Sequence, residues 1–180
     1  CDAVGIAALH SVYDEATFRA HTGTTMGTHK WVDTRIYRNV DEPLTQLKNN
    51  NYQIIAADTS GNTLDYREVD YTKPTAVLLG AEKYGISDAA YPYIDQCVTV
   101  PMLGMVESFN VGVACAIILA EARGQREAAG FYEERQMSDE VYKEPLFEWT
   151  QPLVAKYCQK HSLPYPVLNE KGDIINLDWR

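Results

Sequence analysis

Apolar runs of strand length alternate along the chain with segments patterned at helical spacing. Gly5 to Tyr13 (G-I-A-A-L-H-S-V-Y) reads as a buried strand. Asp41-Glu42-Pro43 opens a helix, a capping carboxylate followed by an early proline, with Leu44 and Leu47 on one face. Gln53 to Thr59 is the next strand, closed by the turn signal Ser60-Gly61-Asn62. Thr75 to Gly80 is a third, and its unbroken apolar run predicts cover on both faces. Ser87 is placed to cap a short helix, Val98 to Val100 forms a fourth strand, and a long, almost wholly apolar helix follows. This order predicts an α/β fold, a mostly parallel sheet with helices on both faces. In such sheets ligands bind beyond the C-terminal strand ends. Those ends carry Ala57-Asp58, Gly80-Ala81-Glu82 and Pro101-Met102-Leu103-Gly104, three loops that can converge on one site.

After Gly130 the pattern changes. Residues 131–180 are charged, aromatic and punctuated by Pro145, Pro152, Pro164 and Pro166. They predict one or two helices around Leu146 to His161 and an irregular tail, an extension packed on a main domain of residues 1–130. Repeats and low-complexity segments are absent.

Composition narrows the classes. The chain of 180 residues carries a net charge of −9, which argues against nonspecific nucleic-acid binding. Between Ala16 and Val40, however, Arg19, Lys30, Arg35, Arg38 and two histidines face a single Asp33. That segment reads either as a solvated loop or as a basic face for selective nucleic-acid contact. The longest apolar stretch, Val111 to Ala120, is too short to cross a bilayer, so no membrane partner is expected. Cys1, Cys97, Cys115 and Cys158 form no C-x-x-C pair, and with no signal peptide this suits a reducing cytoplasm. No metal is expected, because His10, His21, His29 and His161 lack metal-ligand spacing. The absence of a G-x-S-x-G elbow argues against a serine hydrolase. The chain opens on Cys and runs straight into a strand, so it reads as a piece that lacks its true beginning.

Two stretches can carry chemistry. Gly80 to Ser87 (G-A-E-K-Y-G-I-S) is a glycine-flanked loop between a strand and a helix, where backbone can approach a ligand closely. It matches neither phosphate-loop pattern, and Glu82 alone reads equally as a solvated carboxylate. Ser108 and Asn110 stand at the mouth of the long helix, where they either satisfy free backbone N–H groups or face a ligand.

Taken together, L-L-G-A-E-K-Y-G-I-S (Leu78 to Ser87) and V-P-M-L-G-M-V-E-S-F-N-V-G-V-A (Val100 to Ala114) resemble motifs two and three of the SpoU/TrmH group of knotted ribose 2′-O-methyltransferases. Cys1 to Gly5 resembles the end of the first motif, and L-P-Y-P (Leu163 to Pro166) resembles the tail of the branch that methylates guanosine 18 of tRNA. The resemblance implies a C-terminal trefoil knot, bound S-adenosylmethionine, a tRNA substrate and a homodimer with active sites near its interface. It implies that Ala57, Gly80, Val100, Met102 and Phe109 line the cofactor pocket, with Phe109 standing where leucine is common. Glu82, Ser108 and Asn110 become the polar residues of the active site, and Arg126, Arg19 and Lys30 the candidate RNA contacts.

Two departures accompany it. The family's arginine, held to activate the 2′-hydroxyl, stands two residues before the position of Cys1. The chain as written is therefore expected to bind cofactor and methylate little. At the end of the long helix the branch has R-x-R, whereas here Gly124 takes the first place, Arg126 the second, and Arg123 sits one residue early. A one-residue shift turns a side chain about 100° around the helix, so Arg123 is a poor substitute. The alternatives are ribosomal RNA 2′-O-methylation, a catalytically silent RNA-binding homologue, and a nucleotide-binding α/β protein; the L-P-Y-P tail and the lack of a large extra RNA-binding domain favour tRNA.

Overall fold

The computed structural model describes residues 1–6, 8–13, 31–59 and 61–176, which form two compact units, Cys1–Tyr132 and Glu133–Arg180. In the first, β1 (Ala8–Val12) pairs in parallel with β2 (Asp33–Tyr37) as a two-stranded sheet. A second sheet holds β3 (Gln53–Ala57), β4 (Leu64–Asp65), β5 (Thr75–Leu79) and β6 (Gln96–Thr99) in the order β4-β6-β3-β5, every pairing parallel. The expected α/β class holds. The first strand does not join the main sheet; it is shorter than expected and only half-buried.

Alternation along β3 divides the core. Ile54 points to one face, where it packs with Leu44 of α1 (Asp41–Asn49) and with Ala90 of the short 3-10 helix Asp88–Tyr93. Ile55 points to the other, against Val98, Val69, Tyr71 and Ile118 of α2 (Val111–Ala128). Helices thus cover both faces of the sheet. β5 lies at its edge and is half-buried along its length.

Helix starts differ from their sequence reading. Asp41 does not cap α1: Val40 holds the cap position, and the Asn39 carboxamide oxygen accepts from the Glu42 N–H at 3.0 Å. Asp41 instead accepts from the Tyr93 hydroxyl at 3.0 Å. Ser87 occupies the cap position of the 3-10 helix without a side-chain hydrogen bond.

α2 is stitched to the segment between β4 and β5. The Gln125 carboxamide accepts from the Tyr71 N–H and donates to the Val69 carbonyl, both at 3.0 Å. Arg126 donates to the carbonyls of Tyr71 and Lys73 at 2.8 and 2.9 Å. Side chains here supply what a neighbouring strand would otherwise give to buried backbone.

Asp95, just before β6, extends the sheet in the same way. Its carboxylate accepts from the Ile54 N–H at 2.7 Å and from Lys48 at 2.6 Å. Burial, which alone would raise its pKa, is outweighed by these two hydrogen bonds, and the pKa is lowered. A depressed folded value gives stability that is complete above the unfolded value, about 3.9, and is lost as pH falls through the folded one. Asp95→Asn is therefore expected to unfold more easily at neutral pH and to lose less on acidification below about pH 4 than the wild type does. Urea titrations at pH 7 and at pH 3 check this; parallel losses in both proteins would refute it.

In the second unit, α3 (Asp139–Thr150) and α4 (Pro152–His161) pack through Phe147, Ala155 and Cys158. Two helices form, and the first starts earlier than the sequence suggests. Ser138 caps it, accepting from the Val141 N–H at 3.5 Å, and Pro145 is accommodated inside the helix rather than breaking it. Among the described residues no helix is long and apolar enough to cross a membrane.

Candidate active site

The C-terminal ends of β3, β5 and β6 and the start of α2 surround one cavity of about 470 Å³, a volume suited to a cofactor or small ligand. Ala57 closes β3, Gly80 follows β5, and Val100 and Met102 follow β6; Phe109 stands just before α2, and all five line the cavity. Glu82, Ser108 and Asn110 line it too. Its floor is Val98 and Ile118, both fully buried.

The loop after β5 is wound tightly. Ala81 and Gly85 exchange backbone hydrogen bonds at 2.9 and 2.8 Å, and Gly85 takes φ +67, a conformation that glycine adopts without strain. This hairpin leaves Gly80 no room for a side chain: a Cβ there would lie 2.4 Å from the Gly85 carbonyl carbon and 2.6 Å from the Ile86 nitrogen. The winding presents Glu82 at the cavity.

Across from it, Asn110 is the N-cap of α2. Its carboxamide oxygen accepts from the Gly112 N–H at 2.9 Å, and its nitrogen donates to Glu82 Oε1 at 2.9 Å. One donor and one acceptor thus fix the amide's orientation. The two functions weighed for this residue, cap and site, are performed together. Ser108 is not the cap; it lies two residues before it, exposed, with no hydrogen-bond partner among the described residues. Both Glu82 and Asn110 are solvent-accessible, so their bond is worth little to stability and serves placement.

Sequence reasoning did not single out Asp58 as a site residue. It lines the cavity and accepts from the Tyr91 hydroxyl at 2.8 Å, a pairing across 33 residues that periodicity cannot reveal. Its place at a strand end was the available signal.

The chemistry of the lining is selective. Among the described residues it holds two carboxylates, Asp58 and Glu82, and no lysine or arginine. A nucleotide phosphate would meet only like charge there, whereas a ligand bearing a sulfonium or ammonium is favoured. The apolar walls from Leu79, Ile86, Val100, Met102 and Phe109 suit an adenine ring. S-adenosylmethionine fits this set. No group of three or more His, Cys, Asp or Glu gathers to hold a metal ion among the described residues.

The candidate RNA contacts are less uniform. Arg126 is half-buried, its guanidinium on two backbone carbonyls and 5.3 Å over the Phe131 ring. Arg123 is exposed and 3.8 Å from Glu127, and the space around Gly124 is open. Arg19 and Lys30 lie outside the described residues.

Comparison with known proteins converges on one group. The profile of the SpoU rRNA Methylase family matches residues 1–120, and that of the SpoU rRNA methylase C-terminal region matches residues 124–177. The chain is 39% identical over 181 residues to the tRNA (guanosine(18)-2'-O)-methyltransferase of Escherichia coli K12, covering 99% of this chain and 79% of the relative. The crystal structure of the A. aeolicus TrmH/SpoU tRNA modifying enzyme superposes with a TM-score of 0.76 at 36% identity, covering 91% of this chain and 80% of that one. The SpoU methyltransferase AviRb of Streptomyces viridochromogenes, solved in complex with the cofactor AdoMet, superposes with a TM-score of 0.64 at 25% identity, over 71% of this chain and 53% of its own.

Proposed function

Because the chain belongs to the SpoU rRNA Methylase family, we propose that it is a tRNA (guanosine(18)-2'-O)-methyltransferase, moving a methyl group from S-adenosylmethionine to a ribose 2′-hydroxyl of the D-loop. The observation that carries this reading is the convergence of Glu82, Ser108 and Asn110 on a cavity with carboxylates and no cations among the described residues. Ala57, Gly80, Val100, Met102 and Phe109 hold the cofactor. Bound there, it would supply a sulfonium methyl to the ribose oxygen and leave as S-adenosylhomocysteine, with the hydroxyl proton passing to solvent. Asn110, locked between Gly112 and Glu82, fixes the carboxylate at the cavity's mouth, and Ser108 offers a hydroxyl to the ribose. The protein's contribution is positioning rather than covalent catalysis.

The reading extends to a trefoil knot and a homodimer in the cytoplasm. The knot is carried over with membership of the family. Leu103 and Met105 are fully exposed and Val113 of α2 is 45% exposed, apolar surface that a second copy would cover. Main-domain and extension boundaries near residue 130 belong to the same proposal. Of the three candidate RNA contacts Arg126 alone lies within the described residues, and its guanidinium is already held by two backbone carbonyls.

The test is methyl transfer by the full-length protein to a tRNA transcript, followed by mapping of the 2′-O-methyl group. The expected product carries it at guanosine 18, and a transcript with 2′-deoxyguanosine there is inert. Methylation confined to ribosomal RNA, or no transfer despite cofactor binding, would overturn the reading.

A further inference from the structure

Most of the cations among the described residues of the first unit are already engaged, Arg38 and Lys83 being outside any ion pair. Arg35, Lys48, Arg67, Lys73 and Arg123 each lie within an ion pair, and Arg126 is spent on carbonyls. The second unit differs along α4, which carries Lys156, Lys160 and His161 and no carboxylate, whereas α3 carries Asp139, Glu140, Glu144 and Glu148. Ala155 and Cys158 point inward, both buried. The opposite face therefore gathers Leu153, Lys156, Tyr157, Lys160 and His161 within one arc of the helix, all exposed. Neither lysine has an ion-pair partner among the described residues. The Tyr157 and His161 rings meet at 4.4 Å, tilted by 39°, as a combined aromatic surface beside the lysines. Helix ends set by Pro152 and by Ser162, at φ 54, hold this arrangement in place.

We infer that this outer face of α4 is an RNA-contact surface: Lys156 and Lys160 take phosphates of the substrate RNA, and the Tyr157–His161 pair offers a stacking platform. It rests on the RNA-substrate reading above. Charge complementarity selects the occupant. On an acidic chain, a stripe of cations with no ion-pair partner among the described residues, interleaved with aromatic rings, suits a phosphodiester strand. A protein partner would sooner engage Leu153 alone, and one leucine makes a poor anchor.

The test compares Lys156→Glu/Lys160→Glu with Lys171→Glu, an exposed lysine of the same unit off this face. RNA affinity is measured against salt, and methyl transfer in parallel. The double variant is expected to bind RNA at least about tenfold more weakly, with a log–log salt slope shallower by about one per lysine. Its S-adenosylmethionine affinity, and its kcat at saturating RNA, stay unchanged. A slope equal to that of Lys171→Glu overturns the inference even where the wild type methylates tRNA normally. Loss of slope in a protein that binds RNA without methylating it sustains the inference and removes the catalytic reading instead. Wild-type binding to phosphatidylserine vesicles, abolished in the double variant with RNA affinity intact, also overturns it.

Discussion

Gly80→Ala is expected to weaken S-adenosylmethionine binding at least about 100-fold, a cost of about 2.8 kcal/mol that lies within the range for forced overpacking. The reason is local and steric. The added methyl would fall 2.4 Å from the Gly85 carbonyl carbon and 2.7 Å from its oxygen, and these are backbone atoms with no rotamer to yield. They can retreat only by breaking the paired Ala81–Gly85 hydrogen bonds that wind the loop. Glu82 and Ile86 ride on that loop and both line the cavity, so the damage reaches the site directly. Gly124→Ala is the control. Its surroundings are open and it lies inside α2, where alanine is expected to stabilise by about 0.5–1 kcal/mol and leave binding untouched. Calorimetric titration of both variants, with thermal melts to confirm folding, decides the matter. Wild-type affinity in Gly80→Ala would show that the hairpin gives way more easily than its hydrogen bonds imply.

Asn110→Ser is expected to lower kcat about 100-fold while changing stability by less than about 0.5 kcal/mol. Serine caps a helix as well as asparagine does, so the Gly112 N–H keeps its acceptor. The shorter side chain cannot also donate to Glu82, which then loses the partner that fixes it at the cavity's mouth. Stability and turnover should therefore separate. If kcat holds at the wild-type level, Asn110 is only a cap. Asn110→Ala, losing both bonds, should show the same kinetic defect together with a loss of about 1 kcal/mol.

Much of the site was legible because the chain writes it in short contiguous motifs at strand ends. Residues such as Gly80, Glu82 and Asn110 announce themselves by type and place. What lay hidden depended on partners distant in sequence. β2 escaped notice because Asp33-Thr34-Arg35-Ile36-Tyr37 buries only its last residue, so no apolar alternation marks it. β4 is two residues long, below any periodic signal. Of the two candidates at the mouth of α2 only Asn110 caps it, and at α1 the role moved from Asp41 to Asn39, since composition alone cannot say where the first helical turn closes. Arg126 was read for its charge, and its two backbone acceptors became visible only once residues 71 and 73 were brought beneath α2.

The stitch made by Gln125 and Arg126 has a kinetic corollary. It joins residues 69–73 to residues 125–126, and two of the three loops that form the cavity, those after β5 and β6, lie on the chain between those two ends. Most of the active site thus hangs on a loop drawn shut at its neck by four hydrogen bonds from one helical turn. Closing a loop that long is entropically slow to begin and cheap to lengthen. The cavity is therefore expected to reach its final shape only once the C-terminal half of α2 has docked, and a chain that stops short of Gln125 is expected to hold cofactor more weakly than one that includes Arg126.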